Sequence, residues 1–179
     1  MFNRSLLVAS LLAIASPAAY ATQFNFDLNN DAFEAGFGTA IGPGAEVSAN
    51  YMYSRPEGDL ADIGIKATHQ HEIHKFSIGA KFTKLWANNR ANAHAAAIGG
   101  DYAITVAQNL TVSGSAYYAP SVLTSSELNR YYDLDAKIAY SIMPQADVYL
   151  GYRAIQFRYS NQQDLDFNKG LYIGAAFNF

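Results

Sequence analysis

The amino-acid sequence predicts an all-β protein, a closed antiparallel up-and-down transmembrane β-barrel of about ten strands. Three observations lead to this fold class. Apolar and polar residues alternate with a period of two along most of the chain after residue 21, as expected for half-buried strands. Short turns alternate with longer polar loops, as in outer-membrane barrels. Finally, only 15% of the 179 residues are charged while 14% are aromatic, which is unusual for a water-soluble surface.

The composition also excludes several classes of protein. Because the chain has no Cys, it carries no disulfide, no Cys-ligated zinc and no thiol nucleophile. Its net charge of −3 provides no basic surface for a nucleic-acid partner. A mean hydropathy of −0.05 is too polar for a bundle of membrane-spanning helices.

The first 21 residues are predicted to be a secretory signal peptide. Arg4 is followed by an apolar stretch at 6–15, and the sequence Ala-Tyr-Ala then precedes Thr22, so cleavage is expected before Thr22. The alternative, an uncleaved anchor helix, is disfavoured because a membrane span needs about 20 apolar residues. The expected division is therefore a signal peptide at 1–21 and a barrel domain at 22–179.

The strands are predicted from the alternation, taken in chain order. In each stretch one parity is apolar and the other is polar or small; no segment shows helical periodicity over ten residues. The ten alternating stretches are 24–28, 33–41, 46–53, 61–67, 75–83, 96–106, 110–118, 132–142, 146–158 and 170–179.

The connections between these stretches alternate in length. Tight turns are expected at 42–44, 70–73, 108–109 and 143–145, and longer loops at 54–59, 87–92, 119–130 and 159–169. The connection at 29–31 is short where a long loop is due. An alternative therefore stays open: eight strands, with the residues before Gly42 forming a plug or a periplasmic arm.

A periplasmic β-sandwich would show the same alternation, so the aromatic residues decide between the two architectures. Rings cluster at the strand ends, where they suit the two interfacial girdles of a membrane barrel. The chain also ends on Phe179 after an alternating strand, the kind of segment that barrel-assembly machinery reads. The expected interface aromatics are Tyr51, Tyr53, Trp86, Tyr118, Tyr132, Phe177 and Phe179, with Tyr117 and Tyr131 beside them.

Within the predicted strands, most charged residues have the parity opposite to the lipid-facing one, which predicts a charged lumen. Two interpretations follow: the charges pair and fill the lumen, or they line a narrow polar channel with a weak preference for cations. Small inward residues such as Gly151 and Gly174 would either leave space or allow sharp strand curvature. The expected lumen charges are Glu34, Glu46, Asp62, Lys66, Lys75, Lys81, Asp101, Asp133, Asp135, Lys137, Asp147 and Arg153.

No catalytic site, metal site or cofactor is predicted. His69, His71 and His74 flank an expected turn and are interpreted as solvated rather than as ligands. His94 has no neighbouring Ser that would suggest a deacylase. The motif Asp164-x-Asp166-x-Asn168 resembles the start of a calcium loop but lacks the required Gly and the closing Glu.

Several segments resemble the YfaZ family of small outer-membrane proteins. They occur in the same order as in the family, and the match is densest over 95–157 and weaker before Tyr53. The resemblance implies an outer-membrane β-barrel and brings no catalytic residues with it. The segments are 95–100 (AAAIGG), 117–123 (YYAPSVL), 132–144 (YDLDAKIAYSIMP) and 151–153 (GYR).

The predicted function is that of a small outer-membrane barrel, either structural or porin-like, and not an enzyme. The alternative is a surface-loop binding protein or adhesin that uses Tyr131, Tyr132 and the loop at 159–169; a lipid-modifying enzyme is the weakest interpretation. The expected partners are outer-membrane lipid, lipopolysaccharide and, during biogenesis, the barrel-assembly machinery. We expect a monomer with no nucleic-acid partner.

Overall fold

The computed structural model describes residues 22–161 and 163–179, so the expected signal peptide lies outside the described residues. Ten strands form the fold: β1 (Thr22–Leu28), β2 (Ala32–Gly42), β3 (Ala45–Ser54), β4 (Gly58–His71), β5 (His74–Ala87), β6 (Ala93–Ala107), β7 (Leu110–Pro120), β8 (Leu128–Met143), β9 (Ala146–Tyr159) and β10 (Leu165–Asn178).

These strands form one closed antiparallel barrel. Each strand pairs with its neighbours in the chain, and β10 pairs with β1 to close the sheet. The prediction of ten strands is therefore confirmed, and the eight-strand alternative is wrong because β1 and β2 belong to the closed wall. Because β1 pairs with β10, the sheet has no free edge along that seam. A sheet that faces lipid needs such pairing, since lipid cannot satisfy unpaired backbone N–H and C=O groups. In residues 22–161 and 163–179, no helix is long and apolar enough to span a membrane.

The two ends of the barrel differ in their connections. Two-residue turns at 43–44, 72–73, 108–109 and 144–145 lie at one end, which we call the turn end. Both ends of the described chain meet there, where Thr22 and Phe179 exchange two backbone hydrogen bonds of 3.0 and 2.8 Å. The opposite end, which we call the loop end, carries the connections 29–31, 55–57, 88–92, 121–127 and 160–164.

The loops are shorter than the sequence predicted, because several strands continue through polar residues at the loop end. Arg130 pairs with Arg158 across β8 and β9, and Asp166 pairs with Gln156 across β9 and β10. The strand ladder depends on backbone hydrogen bonds, so a polar side chain on its outer face does not end it. Polarity alone therefore predicted the loop boundaries wrongly at 54–59, 119–130 and 159–169.

The pleat of the strands separates two surfaces. Outward side chains are large, apolar and exposed: Ile78 is 75% exposed and Ile173 is 61% exposed. Their neighbours in sequence point inward, and Tyr172, next to Ile173, is only 4% exposed. An apolar exterior around a partly polar interior is the arrangement of a barrel whose outer solvent is lipid.

Candidate functional site: the interior of the barrel

The twelve charged residues predicted for the lumen all line one interior cavity of about 450 Å³, which we call the chamber. The chamber extends from a ceiling formed by Met52, Leu60 and Ile155 towards the turn end, where Lys75 and Asp147 lie on its wall. The sequence analysis missed a thirteenth charge, Asp27, which also lines the chamber. Asp27 could have been predicted from the sequence, because it lies between Phe26 and Leu28, which face outward, and alternation therefore points it inward.

Arg153 is the centre of the charge network. Its Nη2 lies 2.7 Å from Asp27 Oδ2 and its Nε lies 3.1 Å from Asp135 Oδ2, while Nη1 donates to Glu34. These side chains are at most 12% exposed. Because the three carboxylates come from β1, β8 and β2, one guanidinium on β9 joins four strands across the lumen, using the planar geometry that suits Arg for such contacts.

Tyrosines complete the hydrogen bonds of these carboxylates and fill the space above inward glycines. Tyr172 donates to Asp135 over 2.7 Å, and Tyr149 donates to Asp27. A Cβ on Gly151 would lie 2.4 Å from the Tyr172 ring, and Gly174 stands in the same relation to Tyr149. Gly151 and Gly174 therefore neither leave open space nor only permit curvature: they receive the rings of the neighbouring strand.

Lysines supply the remaining ion pairs. Lys81 on β5 pairs with Asp133 on β8, with both side chains at most 13% exposed. Lys66 Nζ lies 3.3 Å from Glu46 Oε1 and 3.5 Å from Asp101 Oδ2. We call the most buried part of this network the ionic layer; it comprises Asp27, Glu34, Lys81, Asp133, Asp135 and Arg153.

The other charged side chains of the chamber take no ion-pair partner within 4.0 Å among the described residues. Asp62 accepts a hydrogen bond of 2.9 Å from Asn50, and Asp147 accepts one of 2.5 Å from Ser141. The ammonium of Lys137 lies 4.8 Å from the centre of the Tyr149 ring. The turn-end part of the chamber is thus polar and only partly neutralised.

A block of apolar side chains fills the lumen on the loop-end side of the ionic layer. On β5, β8 and β9 the apolar residue lies two to four positions nearer the loop end than the charged one, as Phe157 does relative to Arg153. The Tyr131 and Phe157 rings lie 4.8 Å apart between centroids. We call this block the apolar plug; its largest members, each at most 3% exposed, are Met52, Leu60, Leu85, Leu128, Tyr131, Phe157, Leu165 and Phe167.

The plug corrects two expectations from the sequence. Tyr131 was assigned to the outer girdle and to surface binding, but its ring is fully buried inside the lumen. Tyr117 also faces inward, where it donates to Asp101 over 3.2 Å. Tyr131 shares its parity with Asp133 and Asp135, so the alternation contained the correct orientation and the aromatic side chain misled the interpretation.

The outer wall carries the other expected interface aromatics. Tyr51, Tyr53, Trp86 and Tyr118 are between 43% and 49% exposed towards the loop end. Tyr132 is half-buried on the same side. Phe177 and Phe179, 41% and 77% exposed, lie at the turn end. Two bands of rings thus border the apolar exterior.

The histidines lie away from the chamber lining. His69 and His71 are exposed next to the turn at 72–73, and His74 shares a hydrogen bond of 2.9 Å with the Tyr102 hydroxyl. Within residues 22–161 and 163–179, no group of three or more His, Asp or Glu side chains is arranged to hold a metal ion.

Comparison with known proteins agrees with this architecture. The model of the family described as "YfaZ precursor" matches residues 3–179. The Outer membrane protein YfaZ of Escherichia coli (strain K12) is 28% identical over 150 residues, which cover 80% of this chain and 79% of that protein.

Two solved structures share the barrel fold. One, titled KdgM porin in complex with disordered oligogalacturonate, superposes with a TM-score of 0.52 at 8% identity, covering 89% of this chain and 99% of the other. A second structure, KdgM porin, gives a TM-score of 0.50 at 9% identity with the same coverage. At this identity the similarity concerns the fold alone.

Proposed function

Because the chain belongs to the YfaZ family and is an outer-membrane protein with a porin-like barrel, we propose that this barrel is a narrow channel that rests closed. The turn end then faces the periplasm, as short turns do in such barrels. The observation that carries the proposal is the layering of the lumen. A polar chamber extends from the turn end to the ionic layer, and the apolar plug separates that layer from the loop end.

The charges of the chamber favour cations over anions. Eight carboxylates and five basic groups line it. Charges of one sign in excess on a narrow wall of low dielectric concentrate ions of the opposite sign. The expected solutes are therefore small cations that enter from the periplasmic side, and the buried plug accounts for the closed state.

Neither competing function gains support from a specific contact. A lipid-modifying enzyme would need a base near a nucleophile, and no histidine is among the described residues that line the chamber. A binding role for the loops would need a loop that extends away from the barrel. The longest loop, 121–127, is instead held against β6, where the Ser125 backbone N–H donates to the His94 carbonyl oxygen over 2.8 Å. We therefore infer a transport or structural role rather than catalysis or adhesion.

Planar-bilayer recording of the purified full-length barrel tests this proposal. We expect long closed periods interrupted by brief openings of small conductance, with a reversal potential in a KCl gradient that indicates preference for K⁺. The buried plug explains the closed periods and the acidic excess explains the selectivity. A large, permanently open conductance, anion selectivity, or silence even at high voltage would contradict the proposal.

We also propose that lipopolysaccharide phosphate binds the outer wall at Arg130 and Arg158. These residues pair directly across β8 and β9, and both face outward because Tyr131 and Phe157 beside them are buried in the lumen. Like charges placed directly opposite repel one another, and an anion between them removes that cost. Arg158 also pairs with Asp164, which leaves Arg130 as the freer donor.

The double variant Arg130→Ala/Arg158→Ala tests this binding site. Removing a charge-assisted contact costs about 1.5–3 kcal/mol, so we expect affinity for purified lipopolysaccharide in detergent micelles to fall about tenfold or more. The control is Lys75→Ala, which removes a basic group from the chamber instead. Equal affinity of the double variant and the control, or no preference for phosphorylated over dephosphorylated lipopolysaccharide, would rule the site out.

The remaining partners follow from the outer wall. We propose that the barrel is monomeric, since its exposed apolar side chains suit contact with lipid. We also propose that the assembly machinery reads β10 together with the exposed ring of Phe179 that follows it.

A further inference from the structure

The wall of the barrel is incomplete beside β10. β1 is only seven residues long, and its pairing with β10 ends where Leu28 meets Ile173. Residues 165–172 of β10 therefore pair with β9 on one side but have no strand partner on the other within the described chain. Beyond the tip of the β1–β2 hairpin, the unpaired edge of β10 has opposite it only the end of β3 at Ser54 and the loop at 55–57; we call this break in strand pairing the lateral window.

Three side chains close this window. The Asn29 carboxamide oxygen accepts hydrogen bonds from the backbone N–H groups of Asp31 and Ala32, at 3.0 and 2.6 Å, and is thereby fixed to the hairpin. Its Nδ2 donates to Asn168 Oδ1 over 3.1 Å, and Asn168 Nδ2 lies 3.4 Å from Met52 Sδ. One buried amide, Asn168, thus connects both sides of the window. A single side-chain movement would break both contacts.

The loops define the upper border of the window. Arg90 Nη1 lies 3.6 Å from Glu57 Oε2, and its Nη2 lies 3.5 Å from the Asp164 carbonyl oxygen. Arg90 thereby joins the loop between β3 and β4 to the loop between β9 and β10. The lateral window is thus a place where the wall lacks strand pairing, held closed by side chains and bordered by the loops.

The window leads directly to the ionic layer. A narrow pocket of about 10 Å³ lies behind the three closing side chains, and its lining includes Asp27, Glu34 and Arg153. Those residues also line the chamber. A path through the window would therefore connect the chamber with the exterior past Met52 at the edge of the apolar plug, without crossing the centre of the plug, and it would pass two carboxylates.

The window opens at the level of lipid headgroups rather than of hydrocarbon. Leu171, on the outer face of β10 beside the hairpin tip, is 66% exposed. Two residues nearer the loop end, Lys169 is exposed and lies 3.9 Å from Asp166. The outer face thus changes from apolar to charged where the window begins, so a polar solute that leaves here meets headgroups and water.

We propose that the outer mouth of the channel is the lateral window, opened by displacement of Asn168, and that small hydrated cations pass through it. This inference rests on the proposed channel function and specifies its route. The plug then has no need to move: it seals the axis permanently, and the ionic layer and the window control passage.

Single cysteines test the route, since the chain has no Cys of its own. Asn168→Cys is recorded in a bilayer while either a negatively charged or a positively charged methanethiosulfonate is added at the loop-end side, each reagent in a separate recording on unlabelled protein. We expect opposite changes in cation current for the two reagents, because the new charge lies beside the ion path. The control is Leu85→Cys, in the centre of the plug, where neither reagent should change the current.

A second pair of variants keeps the test independent of labelling. Asn168→Ala removes both contacts that hold the window closed, the hydrogen bond with Asn29 and the weaker contact with Met52, so the ratio of open to closed time should rise about fivefold or more. Asn129→Ala, which removes the loop-end contact to Ser160, should not change it. The heat-dependent shift on gel electrophoresis checks that both variants fold.

The outcomes separate the two proposals. A current changed by labelling at Leu85, or an unchanged current after labelling at Asn168, places the path along the axis: it overturns the lateral window and leaves the channel standing. Absence of current in the unmodified protein and in every variant overturns the channel and the window together.

Discussion

Replacing Arg153 by Met should lower the free energy of unfolding by about 3–5 kcal/mol, because it leaves three buried carboxylates without their counter-charge. The guanidinium contacts Asp27, Glu34 and Asp135, all within the barrel interior. The measurement is urea-induced unfolding of the barrel in detergent micelles, followed by fluorescence of the single Trp.

Two further variants make this prediction specific. Arg153→Met combined with Asp27→Asn, Glu34→Gln and Asp135→Asn should recover most of the loss, since a buried ion network replaced as a whole costs little. Arg158→Met, at an ion pair that is more than a third exposed, should change stability only slightly. Equal losses for Arg153→Met and Arg158→Met would mean that the interior contacts of Arg153 do not stabilise the barrel.

Replacing Phe157 by Ala should also destabilise the barrel by about 3–5 kcal/mol, because it removes a fully buried ring from the plug and leaves a cavity. Phe157 packs against Tyr131 at 4.8 Å and Phe167 at 6.5 Å between ring centroids. These rigid neighbours on β8 and β10 cannot collapse into the space. The same urea titration measures the effect.

The control for the plug is Phe82→Ala, which truncates a Phe that is 45% exposed on the outer wall. Lipid chains can fill the space on that side, so only the transfer term is lost and the change should be clearly smaller. If Phe82→Ala costs as much as Phe157→Ala, the plug is not packed as a core.

Much of the fold could be predicted from the sequence because one physical rule, the alternation of side chains across a strand, applies to every residue. That rule identified the ten strands and the inward orientation of the twelve predicted charges. The prediction was wrong where the aromatic character of a residue was given more weight than its parity. Tyr131 is aromatic but has the inward parity, and it lies in the plug.

The layering of the interior could not be predicted in the same way. Parity tells which face a side chain occupies but not which residues of distant strands it meets. Arg153 and Asp27 are separated by 126 positions in the chain, and their contact depends on the register around the whole barrel. The short connection at 29–31 was visible in the sequence. The break in strand pairing beside β10 was not, because the sequence placed the start of that strand at residue 170 and the structure places it at Leu165.

The pairing of β1 with β10 also determines when the barrel can form. This contact brings together residues such as Gln23 and Asn178, whose side chains hydrogen-bond across 155 positions of sequence. Closing so large a loop is entropically costly and slow. β1 cannot complete its pairing until β10 has been synthesised. Until then the nascent polypeptide exposes two strands whose backbone hydrogen-bonding groups are unpaired, and these are prone to aggregation. A chaperone that shields those strands during export would prevent such misassembly.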